Sequence, residues 1–448
     1  MGKLFGTDGI RGIANTTLGC EMALRVGRAA ATLFSDKHPR PAVIIGCDTR
    51  ASSDMLCAAL TAGLCSAGAD VLQVGVISTP AVAYLVGKYA AHGCIMVSAS
   101  HNPAEFNGIK LLDARGLKLS DEDEARVERL AESDLTLPTG GGVGRVTATD
   151  GTEDYIDHLR RSGRYDLSGL KIAVDCANGA ACTTAPRLFE GLGAQVHILS
   201  AAPDGVNINR DCGSTHLSAL ADYVTSHGLD CGVAFDGDAD RCLAVDECGR
   251  EVDGDAILAM CALDMKARGE LAHDTLVATV MSNMGLARFC HRHGINIRTT
   301  SVGDRYVWEE MVRGGYSLGG EQSGHIIFRQ FAATGDGQLT ALRLLSLLKA
   351  GGEPLSKVAA VMTRFPQITI NVPVSPHLKA SPDSDQQVAA AAARARARLG
   401  DEGRLLIRLS GTEPLIRVMA ECSDEELMRR VARDVAEVIQ ERLGDKQT

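Results

Sequence analysis

Short apolar runs alternate with longer stretches of helical periodicity along most of the chain, and this alternation constrains the fold more than any other feature. A chain patterned this way layers helices on sheets that are largely parallel. Strands are expected at 42–46, 71–75, 94–97, 171–175, 195–199, 231–235, 242–246 and 276–280, with helices between them, for instance at 52–67 and 121–131. The second of these helices opens on Ser120 and an acidic turn, residues that occupy free amides and complement the helix dipole. With 448 residues the chain exceeds one core, since single cores stop growing near ~250–300 residues.

Breaks in the pattern place the divisions. The turn-rich Pro138-Thr139-Gly140-Gly141-Gly142 closes the first segment, a fresh strand starts at Lys171, and 246–254 is again rich in turn residues. Residues 364–373, followed by the polar 375–387, have the character of a linker into a smaller last domain. That domain carries an Ala/Arg helix at 386–399, a strand at 404–409 and a closing helix. Ser423 and Glu426 form the expected capping box of the closing helix, whose apolar stripe is Leu427, Val431, Val435, Val438 and Ile439. No repeat is visible at the level of residues. The resulting division is 1–153, 154–253, 254–366 and 367–448.

The formal net charge of −10 argues against nucleic-acid or membrane-surface binding. It also obliges any anionic substrate to find local basic groups. No apolar run is long enough to span a membrane, and Met1 to Thr7 lack a signal-peptide pattern, so the expected location is the cytoplasm. The fourteen cysteines are scattered without a C-x-x-C, which suits buried reduced thiols.

Five constellations carry chemistry. Val97-Ser98-Ala99-Ser100-His101-Asn102-Pro103 places a serine at a strand end beside a histidine, where ligands bind in α/β sheets. A polar, helix-capping turn is the plain alternative. Asp236-Gly237-Asp238-Ala239-Asp240-Arg241 sets three carboxylates at alternate positions of a tight turn, a donor set for a hard cation such as magnesium. A solvated acidic turn would leave three like charges in mutual repulsion. Gly319-Gly320-Glu321-Gln322-Ser323-Gly324-His325 offers donors and acceptors for a hydroxylated ligand. Arg408-Leu409-Ser410-Gly411-Thr412-Glu413-Pro414-Leu415-Ile416-Arg417 brackets a small-residue turn with two arginines, a fit for phosphate. Finally, Phe5-Gly6-Thr7-Asp8-Gly9-Ile10-Arg11-Gly12 and Cys47-Asp48-Thr49-Arg50 each put an arginine on an expected turn, where it faces either a phosphoryl group or a surface partner.

Together and in this order, the segments resemble the α-D-phosphohexomutase superfamily, and within it the branch acting on glucosamine phosphates. Gln322 and the Val302-Gly303-Asp304-Arg305-Tyr306-Val307 stretch are similar to that branch, whereas the phosphomannomutase/phosphoglucomutase branch usually has Met at the first position. Ala239 departs from the more usual glycine. The resemblance implies three similar mixed α/β domains plus a smaller C-terminal α+β domain, heart-shaped around a central cleft. It implies interconversion of glucosamine 6-phosphate and glucosamine 1-phosphate, toward UDP-N-acetylglucosamine, with glucosamine 1,6-bisphosphate as intermediate and activator.

On that basis Ser100 carries a phosphoserine, and Asp236, Asp238 and Asp240 with the Ser100 phosphate hold one Mg²⁺ per subunit. Arg241 and Arg11 clamp the moving phosphoryl group, and Lys110 and His101 are the acid/base candidates. Gly303, Glu321, Ser323 and His325 hold the sugar, while Arg408, Ser410, Gly411, Thr412 and Arg417 grip the phosphate that is not reacting. The partner is a small sugar phosphate, with a homodimer as the candidate assembly. A metal-dependent phosphatase and a non-catalytic sugar-phosphate sensor are the alternatives; the first leaves Ser100 without a role, the second leaves the catalytic groups without one.

Overall fold

In the computed structural model, residues 4–6, 8–163, 165–375, 382–410 and 414–444 are described. All eight expected strands form, the first of them as Ala42–Cys47, Asp70–Val76 and Gly93–Val97. The chain divides into two compact units, one of Met1–Met281 with Gly294–Val361 and one of Ser282–His293 with Met362–Thr448.

Among the described residues, the first unit contains three sheets, and a single topology recurs in them. In the first sheet, Ala42–Cys47 pairs parallel with both Asp70–Val76 and Gly93–Val97, and Gly93–Val97 then turns back into antiparallel Phe106–Asp113. The second sheet repeats this arrangement with Lys171–Asp175, Gln195–Leu199, Cys231–Phe235 and antiparallel Cys242–Asp246. The third does so with Thr275–Thr279, Asn296–Thr300, Leu318–Gly320 and antiparallel Ile326–Phe328. The central strands are short runs, buried throughout or in all but their first residue, which is why they read as nearly continuous apolar stretches in sequence. The repeat is thus one of topology, invisible residue by residue.

The second unit is a three-stranded antiparallel sheet of Gln367–Pro373, Leu415–Cys422 and Gly403–Leu409. Helices Gln386–Leu399 and Glu425–Leu443 pack on it through Val388, Ala392, Val431, Val435 and Ile439. No helix among the described residues is long and apolar enough to cross a membrane.

Four details differ from the sequence expectations. Residues 367–373 are an edge strand, not a linker; Pro373 at its end is tolerated because an edge needs fewer donors. The closing helix is capped by Asp424, whose side chain accepts from Leu427 N, and not by Ser423. Val146–Ala148 adds a further strand after the glycine-rich turn, too short and too exposed to show a period. Residues 5–13 are also more than a turn: Phe5–Gly6 and Gly9–Ile13 pair with each other, and the second pairs with Phe106–Asp113, so Arg11 lies on a strand. None of the fourteen cysteines is joined in a disulfide.

Candidate active site

The recurring topology gives the chemistry its positions. In each sheet of the first unit, the turn between the third strand and its antiparallel partner is one of the segments singled out above: 98–105, 236–241 and 321–325.

Ser100 leaves the buried strand Gly93–Val97 and is itself 1% exposed. Its φ of 51° lies in the left-handed region, a strain of order ~1–3 kcal/mol for a residue with a side chain, of the kind that persists at functional sites. The backbone is tied down from within: Ser100 N donates to Ser98 Oγ at 2.9 Å, and Ser98 Oγ donates to Asp48 Oδ2 at 2.6 Å. The Ser100 hydroxyl donates to Asp236 Oδ2 at 2.5 Å and lies 3.3 Å from His101 Nδ1. Burial, with Arg241 and Arg11 nearby, lowers the His101 pKa to about 4, so the ring is neutral near pH 7.

The acidic turn meets the serine turn closely. A Cβ at Gly237 would lie 2.6 Å from Ser100 O and 3.1 Å from Asn209 Nδ2, so only glycine fits. Ala239 adopts φ 54° while fully buried, a left-handed position that glycine would hold without strain. The ligand atoms of Asp236, Asp238 and Asp240 all lie within 4.8 Å of one another, and all three residues are buried. Asp238 Oδ1 and Asp240 Oδ1 are buried without a hydrogen-bond partner. Burial, then the charges of Asp240 and Asp238, drives the Asp236 pKa well above the carboxylate range. Orphaned acidic oxygens in mutual repulsion are a setting that a hard cation satisfies, and the all-oxygen donor set suits magnesium.

Lys110 reaches this turn from the neighbouring strand. Its ammonium lies 2.9 Å from Asp238 Oδ2, 3.5 Å from Asp240 Oδ2 and 3.2 Å from Asp8 Oδ2. Burial opposes its charge, but Asp238, Asp8 and Asp240 outweigh that and hold its pKa well above the usual lysine value. Arg241 is partly exposed at the end of the same turn, with Nε 3.9 Å from Asp240 Oδ1. Arg11 pairs with Asp8 and donates to Asn102 Oδ1 at 3.0 Å, next to the serine turn.

The third turn holds polar groups of a different kind. Glu321 Oε1 accepts from Gly303 N at 3.0 Å, and Ser323 Oγ stands 3.5 Å from Glu321 Oε2. His325, 4% exposed, points Nδ1 at Asp240 Oδ2 (3.6 Å) and accepts from Gly335 N at Nε2 (2.9 Å). Burial disfavours its charge while Asp240, Asp304 and Glu321 draw its pKa up to about 9; the Gly335 bond requires the neutral ring with its proton on Nδ1, and that geometry decides the state. Gln322 turns away from this group, its Nε2 3.3 Å from Asp253 Oδ2 and its carbonyl accepting from Gly254 N. Its position is that of a strut between the turn and helix Gly254–Ala267.

Sequence reasoning missed four participants. Thr79 donates from Oγ1 to Asp238 Oδ2 at 2.6 Å. Asp8, Lys118 and Asp304 form a bridge: Lys118 Nζ contacts Asp8 Oδ1 at 2.5 Å and Asp304 Oδ2 at 2.8 Å, and Asp304 Oδ2 faces His325 Nε2 at 3.8 Å. With His325, Asp240 and Lys110 these groups close a ring in which acids and lysines alternate except at the neutral His325. Asp8 and Asp304 do lie inside the singled-out stretches 5–12 and 302–307, and that was the only local signal. Arg50, expected on an open turn, is fully buried instead and faces no ligand space.

In the second unit, Arg408 and Arg417 are directly opposed across the strand pair. Burial, then the charge of Arg417, holds the Arg408 pKa below the usual guanidinium value, and Arg408 Nε is buried without a hydrogen-bond partner. Two like charges side by side favour an anion between them. Ser410 N donates to Leu415 O at 2.8 Å, while Gly411 and Thr412 lie outside the described residues.

Family models of the phosphoglucomutase/phosphomannomutase type match in chain order: alpha/beta/alpha domain I over 2–137, domain II over 153–249, domain III over 253–365 and the C-terminal domain over 370–438. The chain belongs to the phosphoglucomutase/phosphomannomutase family. Curated relatives include phosphoglucosamine mutase of Symbiobacterium thermophilum, 52% identical over 99% of this chain and 100% of that protein. Phosphoglucosamine mutase of Clostridium acetobutylicum is 49% identical with the same coverage. Among solved structures, a family protein from Burkholderia thailandensis superimposes with a TM-score of 0.82 at 25% identity, covering 98% of this chain and 97% of that one. The Aspergillus fumigatus N-acetylphosphoglucosamine mutase, solved with GlcNAc-6P and magnesium, shares the fold at a TM-score of 0.71 and 20% identity, covering 98% and 95%.

Proposed function

We propose that this chain interconverts glucosamine 6-phosphate and glucosamine 1-phosphate, with Ser100 carrying the transferable phosphoryl group. The observation that carries the reading is the strained, buried Ser100 aimed at Asp236 inside a turn of unpartnered carboxylate oxygens. The full-length relatives named phosphoglucosamine mutase support the choice of sugar.

In this reading the bond from phosphorus to Ser100 Oγ breaks as one forms to a sugar hydroxyl, giving glucosamine 1,6-bisphosphate. The bisphosphate turns over, and its other phosphate returns to Ser100. Lys110, which holds a proton, and neutral His101, whose Nδ1 lies 3.3 Å from Ser100 Oγ, are the acid/base groups of this reading. Arg241 and Arg11 steady the transferring group; Glu321, Ser323, His325 and the Gly303 turn hold sugar hydroxyls and the amine; Arg408, Ser410 and Arg417 bind the distal phosphate. Asp236, Asp238 and Asp240 with the Ser100 phosphate would hold Mg²⁺, which when bound neutralises charge on the phosphoryl group. We retain the division at 153, 253 and 366, each segment contributing one turn, and a cytoplasmic setting for a sugar-phosphate substrate.

The test is a comparison of glucosamine, glucose and mannose phosphates at equal concentration. The expected preference is for glucosamine by at least about tenfold in kcat/KM. A wild-type preference for glucose or mannose phosphate replaces this substrate with the broader hexose reading.

A further inference from the structure

Arg50 stands immediately before helix Ala51–Ser66, and its side chain is wholly excluded from solvent. A guanidinium is rarely buried so completely unless it is fully paired. Here each of its five N–H donors has a partner. Nε donates to Asp48 Oδ2 at 2.9 Å. Nη1 donates to Phe106 O at 3.0 Å and to Pro103 O. Nη2 donates to Ser100 O at 2.9 Å and to Asn102 O at 2.8 Å. One planar fork thus grips three carbonyls of the serine turn and that of Phe106 at the start of the next strand, while the Asp48 that anchors it also accepts from Ser98 Oγ, which in turn accepts from Ser100 N.

Asn209, from the second sheet's side, converges on the same place. Its Nδ2 donates to Ser100 O at 2.9 Å and to Asn102 O at 3.1 Å. Its own φ of 58° is left-handed.

We propose that Arg50, seconded by Asn209, is a positioning residue that holds the Ser100 turn in its strained form, so that the hydroxyl and its phosphate face Asp236. The inference rests on Ser100 as the phosphoryl carrier. A left-handed serine relaxes to an extended or right-handed backbone unless the surroundings forbid it. The relaxed turn would swing Oγ off the acidic turn, and transfer is sensitive to displacements of an ångström. Lysine would keep the charge at 50 but, as a single ammonium, could not span Asp48 and the four carbonyls.

The experiment uses the full-length chain with Arg50→Lys and, separately, Asn209→Gly, which accepts the positive φ while removing the donor. Intact mass of wild type first establishes a phosphate on Ser100; its absence would count against the carrier assignment and not against the clamp. Given that phosphate, Arg50→Lys is expected to lower kcat about 100-fold and Asn209→Gly about tenfold, with KM for the sugar phosphate within roughly threefold of wild type. Titration of the unphosphorylated proteins with magnesium alone should give an unchanged Kd in both, because the three carboxylates of the acidic turn are untouched. Wild-type kcat in both variants, or a raised KM at unchanged kcat, overturns the proposal. If Arg50→Lys fails to fold by circular dichroism, Asn209→Gly decides: lowered kcat at constant KM supports the clamp, and full kcat refutes it.

Discussion

The turns 236–241 and 321–325 occupy equivalent places, each joining the third strand of its sheet to an antiparallel partner, yet they bury their carboxylates differently. In the first, three carboxylates are buried, two of them with an orphaned oxygen, and Lys110 from strand Phe106–Asp113 and Thr79 from the start of helix Thr79–Lys88 supply counter-contacts. In the second, Glu321 is half-buried, one of its oxygens is taken by the Gly303 amide, and Ser323 stands beside the other. Topology fixes where a turn sits; the burial of its carboxylates decides whether it concentrates charge for a cation or presents spaced acceptors to a hydroxylated sugar. Removing a group from the first should therefore damage chemistry, and removing one from the second should alter selectivity.

The largest effect should come from the serine turn that faces the acidic one. Ser100→Ala is expected to lose nearly all mutase turnover together with the phosphorylated species in intact mass. Turnover at the wild-type rate would move the carrier elsewhere, with Ser98 the next residue to examine.

Asp238→Asn should follow, lowering kcat by about 100- to 1000-fold, because charge stabilisation dominates phosphoryl transfer. Steady-state rates against magnesium concentration, with chelator as control, check this. Full activity in excess chelator would make the acidic turn structural.

Glu321→Gln should act more mildly. A lost charge-assisted hydrogen bond amounts to roughly 1.5–3 kcal/mol, or about ten- to a hundredfold in kcat/KM. The loss should fall more heavily on glucosamine phosphate than on glucose phosphate, narrowing their ratio, with a smaller loss on both where Glu321 binds a shared hydroxyl. An unchanged ratio would remove Glu321 from amine recognition.

Ala239→Gly should do least. Glycine relieves the left-handed alanine, gives up a buried methyl and gains freedom in the unfolded chain, so these effects nearly cancel and stability should stay within about 1 kcal/mol. Thermal melting and kcat together check this; a large fall in kcat would mean that the methyl group shapes the acidic turn.

What the sequence disclosed follows from how local each signal was. Buried strands such as Cys231–Phe235 announce themselves as unbroken apolar runs, and Asp236, Asp238 and Asp240 sit at a spacing that points to one cation. Lys118, Thr79 and Asn209 gave no such sign, because each is an isolated polar residue. Their partners are distant in the chain: Thr79 meets Asp238, Asn209 meets Ser100, and Lys118 meets both Asp8 and Asp304. Arg50 was visible but placed wrongly, since an arginine after a strand looks exposed until four carbonyls from residues 100–106 close over it. Gln322 marked the branch in sequence, while its side chain braces Asp253. The threefold topology was hidden for the opposite reason: hydrogen-bond register repeats where residues do not.

The most direct measurement is a chase of the Ser100 phosphate. Protein labelled with radioactive phosphate on Ser100 is mixed with excess unlabelled glucosamine 6-phosphate and quenched over one turnover. The label should leave the Ser100 peptide and appear in sugar phosphate at a rate no slower than kcat. Label that stays on the protein through many turnovers, or leaves as inorganic phosphate, would contradict transfer through Ser100.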